Sequence, residues 1–347
     1  MLWLELFQSA GNLADDEHKI RIFFERAEQY GLDDHCALIC YRPDEPVTLE
    51  KGDCFGKSRA DIGEFVKTSD LLWNFACAYR QPLLSQFKHP VLIDSDPGHL
   101  QVSALDYPMD LYDHRTFLTV GLNIHRPTCE IPTLGLEWHP FRPFVYMPLW
   151  PMSDTHCANA PFTSITHWTW AELHLNGRVL DVSKRAAYMR YLDLPRRVAR
   201  RMQLAAYISP EDKTGDRELL TESGWELVSP WDVAGTPDAY REYITSSCAE
   251  IQCPKPIYCE LRTGWFSDRS AAYLATGRPV LAEETGFSEF LPAGKGLLTF
   301  RTMDEAVAGV AEIDRNWNSH SRAARQIAQE YLGSDRCLSE MLAACGY

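Results

Sequence analysis

The chain has 347 residues, 45% hydrophobic and 24% charged, a balance ordinary for a globular protein of about two domains. Its 34 basic and 48 acidic residues leave a net charge of −14, which repels phosphate backbones and anionic lipids. Duplex nucleic acid and membrane surfaces are therefore disfavoured as partners, although a local basic pocket is compatible with that charge. The opening residues 1–7 are short and carry no basic stretch, and no apolar run reaches the roughly 18 residues of a membrane span. The expectation is a cytoplasmic protein. Oligomeric state is not legible. The 11 cysteines are odd in number, scattered and without CxxC spacing, so they read as reduced thiols. No metal site is expected, and the pair His156-Cys157 has no partner motif.

Residues 2–7 form an apolar run that ends at Ser9-Ala10-Gly11-Asn12, a buried strand feeding a turn. Asp15-Asp16-Glu17 followed by Ile20, Ile22, Phe23, Phe24 and Ala27 predicts a helix that Gly31 ends. Residues 37–41, 71–78 and 91–94 read as strands, with a helix-like stretch at 82–88. From 106 to 161 the chain is rich in Pro, His and aromatic residues and reads as loops lining a cleft, with a linker near 149–151. The alternation then restarts. Strands are expected at 162–168, 204–208, 225–228 and 279–282, and helices at 216–223, 237–246, 267–276, 303–313 and 322–332. A last amphipathic helix, 335–344, carries Cys337, Leu338, Met341 and Leu342. Short apolar strands alternating with helices imply an α/β fold with parallel sheets and helical crossovers.

The sharpest local pattern runs from Thr263 through Gly264-Trp265-Phe266-Ser267-Asp268-Arg269-Ser270 to Gly277-Arg278-Pro279-Val280-Leu281-Ala282. It combines a glycine loop, a Ser/Asp helix start, a short helix, a glycine stop and a buried strand. A helix N-terminus carries unpaired N–H groups and partial positive charge, and Arg269 adds a fork suited to a diphosphate. The same Ser267 and Asp268 also suit a plain helix cap. The strand leads into Glu283-Glu284-Thr285-Gly286-Phe287-Ser288-Glu289, a second loop expected to flank the same pocket. Walker A, GxGxxG and GxSxG patterns are absent.

This block, with Thr285-Gly286-Phe287 and Leu291-Pro292, resembles the donor half of a group of bacterial GT-B glycosyltransferases. Weaker echoes are Asp94-Ser95-Asp96-Pro97-Gly98-His99, the stretch 121–140, Leu192-Asp193-Leu194-Pro195 and Asp238-Ala239-Tyr240-Arg241. The resemblance spans about residues 91–340. It implies two Rossmann-like domains facing across a cleft: an acceptor-binding domain at 1–150 and a nucleotide-sugar-binding domain at 151–333. It also implies a C-terminal helix, 334–347, returning to the first. Related retaining enzymes place a pair of glutamates around this helix, and the corresponding positions here are Gly264 and Ala272. Inverting or retaining chemistry is therefore not legible.

The implied activity moves a hexosyl or pentosyl group from a UDP-, GDP- or dTDP-sugar to a hydroxyl or amine of a small molecule, nucleoside or glycan. No cofactor or metal is implied. Alternatives are a sugar-nucleotide epimerase on the same fold, or a non-catalytic nucleotide-sugar-binding partner protein. Candidate diphosphate and nucleotide ligands are Ser267, Asp268, Arg269, Lys255 in a Pro-stiffened loop, Arg262 and Gly264. Glu283, Glu284, Thr285, Gly286 and Glu289 are candidates for the donor sugar or ribose. Candidate catalytic groups are Asp94 and Asp96 at a strand end, His18 after the first strand, and His125 in the loop-rich stretch. Asp96-Pro97-Gly98 also reads as a simple turn.

Overall fold

Strand β1 (Trp3–Gln8) opens the computed structural model, which describes residues 1–152, 159–209, 211 and 213–347. His156-Cys157 lies outside the described residues. Helix α1 (Leu13–Gln29) starts on Asn12, whose side chain accepts from Ala14 N, and carries Asp15 and Asp16 in its first turn. Strand β2 (Cys36–Tyr41) pairs parallel to β1 and antiparallel to β3 (Asp53–Phe55). Helix α2 (Arg59–Thr68) is capped by Ser58, and β4 (Leu72–Phe75) pairs parallel to β5 (Pro90–Asp94). Ile39, Tyr41, Ile62, Val66, Leu83 and Leu84 form the core of this unit, which comprises residues 1–94 and 107–117. The helix expected at 82–88 is a single 3-10 turn, Leu84–Gln86. Phe87 is already extended, at φ −92° and ψ 141°, so the turn stops at Gln86.

The second unit holds residues 95–106 and 118–347. It begins with α3 (His99–Asp106); β6 (Thr116–Thr119) brings the chain back into it, followed by β7 (Trp138–Pro140). Then come β8 (Phe162–His167), β9 (Glu172–Leu175), β10 (Arg178–Asp181), α4 (Lys184–Met189) and α5 (Leu194–Arg197). Next are β11 (Met202–Tyr207), α6 (Asp216–Glu222), β12 (Trp225–Val228), α7 (Pro230–Ala234) and α8 (Pro237–Ser246). Strand β13 (Ala249–Gln252), α9 (Pro256–Glu260), α10 (Asp268–Ala275), β14 (Val280–Glu283) and β15 (Leu297–Phe300) follow. Helices α11 (Met303–Arg315), α12 (Trp317–Tyr331) and α13 (Ser334–Ala344) end the chain. Within this unit Ser334 N donates to Val145 O at 3.0 Å, and Arg142 Nη1 lies 3.0 Å from Glu340 Oε2.

Six of these strands form one sheet in the order β12-β11-β8-β13-β14-β15, all parallel. Alternation of side chains across a sheet explains its two cores. Leu281 of β14 joins Phe162, Leu204, Ile251, Val310 and Trp317 on one face. Its neighbours Val280 and Ala282 join Phe266, Leu274, Leu297 and Ile327 on the other. Gly309 lets α11 approach closely: a Cβ there would stand 2.5 Å from Leu281 Cδ1.

Strand β13 and the β9–β10 hairpin are among the elements that escape the sequence pattern, for different reasons. Strand β13 contains Glu250, fully buried, so the apolar run is interrupted by a carboxylate. The β9–β10 hairpin turns through Asn176-Gly177, both at positive φ. That dipeptide is a strong two-residue turn signal, but the flanking strands are too exposed to alternate cleanly.

Candidate functional site

The sheet order reverses between β8 and β13. From β8 the chain winds outward through β11 and β12, then returns to β13 and winds the other way. Loops leaving the carboxyl ends of these two strands diverge and open a crevice. A cleft of about 310 Å³ lies there, walled by residues 165–167 at the end of β8, by Trp170, and by three cations, Lys184, Lys255 and Arg269. No residue of the aromatic stretch 106–152 is part of this wall.

Arg269 sits in the first turn of α10. Its Nε donates to Glu250 Oε1 at 2.6 Å and its Nη1 to Ile165 O at 2.7 Å. Burial opposes the guanidinium charge, but the Glu250 carboxylate, with Tyr188 and Tyr240, outweighs it and holds the pKa above the usual range. Arg269 Nη2 and Glu250 Oε2 are buried with no hydrogen-bond partner in the described protein. Ser267 occupies the N-cap position, but its hydroxyl does not cap the helix; it lies 3.4 Å from Asp268 Oδ1. Asp268 is exposed.

Lys184 begins α4, and its Nζ donates to Cys253 O at 2.7 Å and stands 5.3 Å from the Trp265 ring centre. Burial, with the nearby Arg269 charge, pushes the ammonium pKa down to about 7. Lys255 Nζ lies 5.6 Å from the Trp170 ring centre and donates to the Asp96 carboxylate. Asp96 also accepts from Tyr258 Oη, and its Oδ2 is 3.0 Å from His99 Nδ1. Burial opposes the Asp96 charge, but the His99 hydrogen bond and the Lys255 and His99 charges hold it far below the usual carboxylate range.

The glycine loop and the loop after β14 are bonded to each other. Gly264 N donates to Thr285 O at 2.9 Å, and Thr285 Oγ1 donates to Trp265 O at 2.6 Å. Asn123 closes the same corner: its Nδ2 donates to Arg262 O at 3.0 Å, and a Cβ on Gly286 would stand 2.0 Å from that nitrogen. Gly286 also has φ +104, where side chains rarely fit. Glu284 Oε1 accepts from Gly286 N at 2.6 Å. Glu283 is buried and bonded to Tyr191 Oη at 2.9 Å and Arg190 Nη2 at 3.1 Å. Burial raises its pKa, and Arg190 and Tyr191 offset part of that rise.

The remaining candidates stand apart from the cleft wall. Arg262 is exposed, with φ +50. Glu289 is an exposed partner of Arg126 at 3.7 Å. His125 Nε2 is bonded to Trp138 O at 2.7 Å. Asp94 belongs to the first unit and is fully buried, and His18 is exposed on α1 of that unit beside Arg21. The sequence misses Lys184, Glu250 and His99 as a set. Glu250 leaves a trace, because a carboxylate inside a strand destined for burial demands a partner. Lys184 leaves none: Ser183-Lys184 looks like any helix start.

Among the described residues, no group of three or more His, Cys, Asp or Glu is arranged to hold a metal ion. None of the described helices is long and apolar enough to cross a membrane. No family model matches the chain, and no curated protein matches it in sequence. Solved structures do match. Anabaena HepE in complex with UDP and glucose superposes with TM-score 0.59 at 11% identity, over 100% of this chain and 99% of that one. An alpha-glucosyltransferase in complex with UDP gives 0.57 at 10% identity, over 100% of both chains. Sucrose-phosphate synthase from Thermosynechococcus elongatus gives 0.54 at 10%, over 98% of this chain and 97% of that one. The fold is GT-B, as the resemblance in the sequence implies.

Proposed function

We propose that the protein is a glycosyltransferase that moves a sugar from a nucleoside-diphosphate sugar to an acceptor hydroxyl or amine. The observation that carries this reading is the convergence of Lys184, Lys255 and Arg269 on one cleft at the reversal of the sheet order. Glu250 and Asp96 pair with Arg269 and Lys255, but Lys184 has no described carboxylate partner, so the three cations leave positive charge in the cleft for an anion to meet. A diphosphate supplies two negative charges and several acceptor oxygens, and Arg269 Nη2 is a buried donor without a partner. The HepE and alpha-glucosyltransferase structures, which contain UDP, support the same reading by likeness of fold.

In this assignment Lys184, Lys255, Arg269 and the start of α10 hold the diphosphate. They neutralise the charge that develops as the bond to the sugar breaks. The paired loops around Gly264 and Thr285-Gly286 support the donor's ribose and sugar, with Glu283 and Glu284 already oriented by Arg190, Tyr191 and Gly286 N. Ser267 and Asp268 border the same helix start. A thermal-shift panel with UDP, GDP, dTDP, ADP and CMP tests the reading. A ligand of the folded state stabilises it by about 2.7 kcal/mol at a hundredfold excess over Kd. One nucleoside diphosphate is expected to stand out, and no shift with any of the five would refute the assignment.

A further inference from the structure

We propose that Lys184 is a carbon dioxide site: its side-chain amine takes up CO2 as a carbamate, which closes the cleft to the nucleotide donor. The effect on the donor rests on the functional reading above; the adduct itself does not. Lys184 is part of the cleft wall, and its described contacts are uncharged: the Cys253 carbonyl at 2.7 Å and the Trp265 ring at 5.3 Å. Of the two amines on that wall, Lys255 is paired with the Asp96 carboxylate and Lys184 has no described carboxylate partner.

The charged groups around it leave it in that state. Glu250 on β13 is bonded to Arg269, and Glu283 on β14 to Arg190 and Tyr191. Glu260 on α9, which packs against α4, is exposed and pairs with Arg178 at 3.7 Å. Arg185, next on α4, is bonded to Asp216. Burial pushes up the thiols of Cys253 and Cys259, so neither supplies a negative charge. His167 is the remaining titratable group of the cleft wall. A third ammonium beside Lys255 and Arg269, without a counter-ion of its own, is disfavoured by desolvation and by repulsion, so the site favours a neutral amine with a free lone pair. The pKa of about 7 agrees with this geometry.

In the reaction the Nζ lone pair attacks the carbon of CO2 and forms an N–C bond. One C–O π bond breaks, its electron pair stays on oxygen, and the nitrogen gives one proton to water. The product keeps one N–H, which can still donate to Cys253 O, and adds two acceptor oxygens beside the Arg269 and Lys255 charges. Nothing is oxidised or reduced. A group that binds phosphate as an ammonium thus becomes one of the same sign as a diphosphate. Donor and CO2 exclude each other, and linkage makes the effect reciprocal: bound nucleotide protects Lys184 from the adduct.

The test uses the full chain at pH 8 with ¹³C-labelled bicarbonate as the source of CO2. A carbamate resonance is expected in ¹³C spectra. Alkylation with triethyloxonium and peptide mass mapping of the wild type should place it on Lys184, and UDP should suppress it. Lys184→Arg keeps the positive charge but forms no carbamate, so the resonance should be lost. At constant ionic strength bicarbonate should weaken UDP binding to the wild type by about threefold or more, since a charged hydrogen bond lost altogether is worth about tenfold. In Lys184→Arg it should leave UDP affinity as it is without bicarbonate. No carbamate, or one confined to Met1 or Lys255, would overturn the proposal. Equal weakening in Lys184→Arg would overturn it too, because bicarbonate would then act as a simple competing anion. A Lys184 carbamate with unchanged UDP affinity would refute its closing of the cleft. Failure of UDP to bind the wild type without bicarbonate would instead overturn the donor-site reading, and the mapped resonance would still decide the adduct.

Discussion

Replacing Arg269 by methionine strands the carboxylate of Glu250, which is fully buried and loses its 2.6 Å partner. Removing one member of a buried ion pair costs about 3–5 kcal/mol, because the remaining charge has neither water nor counter-ion. Glu250→Leu alone should cost a similar amount by stranding the guanidinium. The double variant Arg269→Met/Glu250→Leu replaces the pair with apolar groups, and such swaps are often neutral or stabilising. The coupling in the cycle should therefore be about 6–10 kcal/mol, the sum of the two single costs, measured by urea unfolding without nucleotide. Function should not follow stability. The double variant regains its fold but lacks the guanidinium, so UDP binding should remain weaker by about 10-fold or more, the scale of a hydrogen bond to a charged group. If the double variant is as unstable as the two single changes summed, the pair is not a buried unit. If it binds UDP like the wild type, Arg269 is not a diphosphate ligand.

Lys184 should give donor binding a pH dependence of defined sign. With its pKa held down to about 7, the lysine is largely neutral at pH 8.5 and charged at pH 6, so UDP-glucose, titrated calorimetrically, should bind more tightly as pH falls through 7. Lys184→Met should flatten that dependence, and an equally steep profile in the variant would exclude the lysine as its source. Gly286→Ala should destabilise the folded protein by about 1–3 kcal/mol in urea unfolding. Its Cβ meets Asn123 Nδ2 at 2.0 Å and its backbone sits at φ +104. An unchanged unfolding midpoint would refute the role given to the Asn123 corner.

Much of the fold is legible in the sequence wherever local chemistry and burial agree. Residues 225–228 and 237–246 match β12 and α8, because apolar spacing, a preceding Gly224 and the Thr236-Pro237 start all point one way. The Gly277 stop and the apolar run after it likewise announce the end of α10 and strand β14. Strand β13 is hidden because its central residue is a glutamate, which earns its place through Arg269, 19 residues onward.

The candidate site divides along the same line. Lys255 and Arg269 stand out in the sequence because proline, glycine and a helix start surround them, and these are local signals. Asp96 is visible as a carboxylate at a strand end, but its burden of three donors is not, since Lys255 and Tyr258 lie 159 and 162 residues away. Lys184 and Trp170 become part of the cleft only because the sheet reverses beside β8. Sequence determines which segments are strands, helices and turns, because those choices depend on neighbours within a few residues. Tertiary structure alone decides which charges meet, because hydrogen bonds and desolvation act through space and not along the chain.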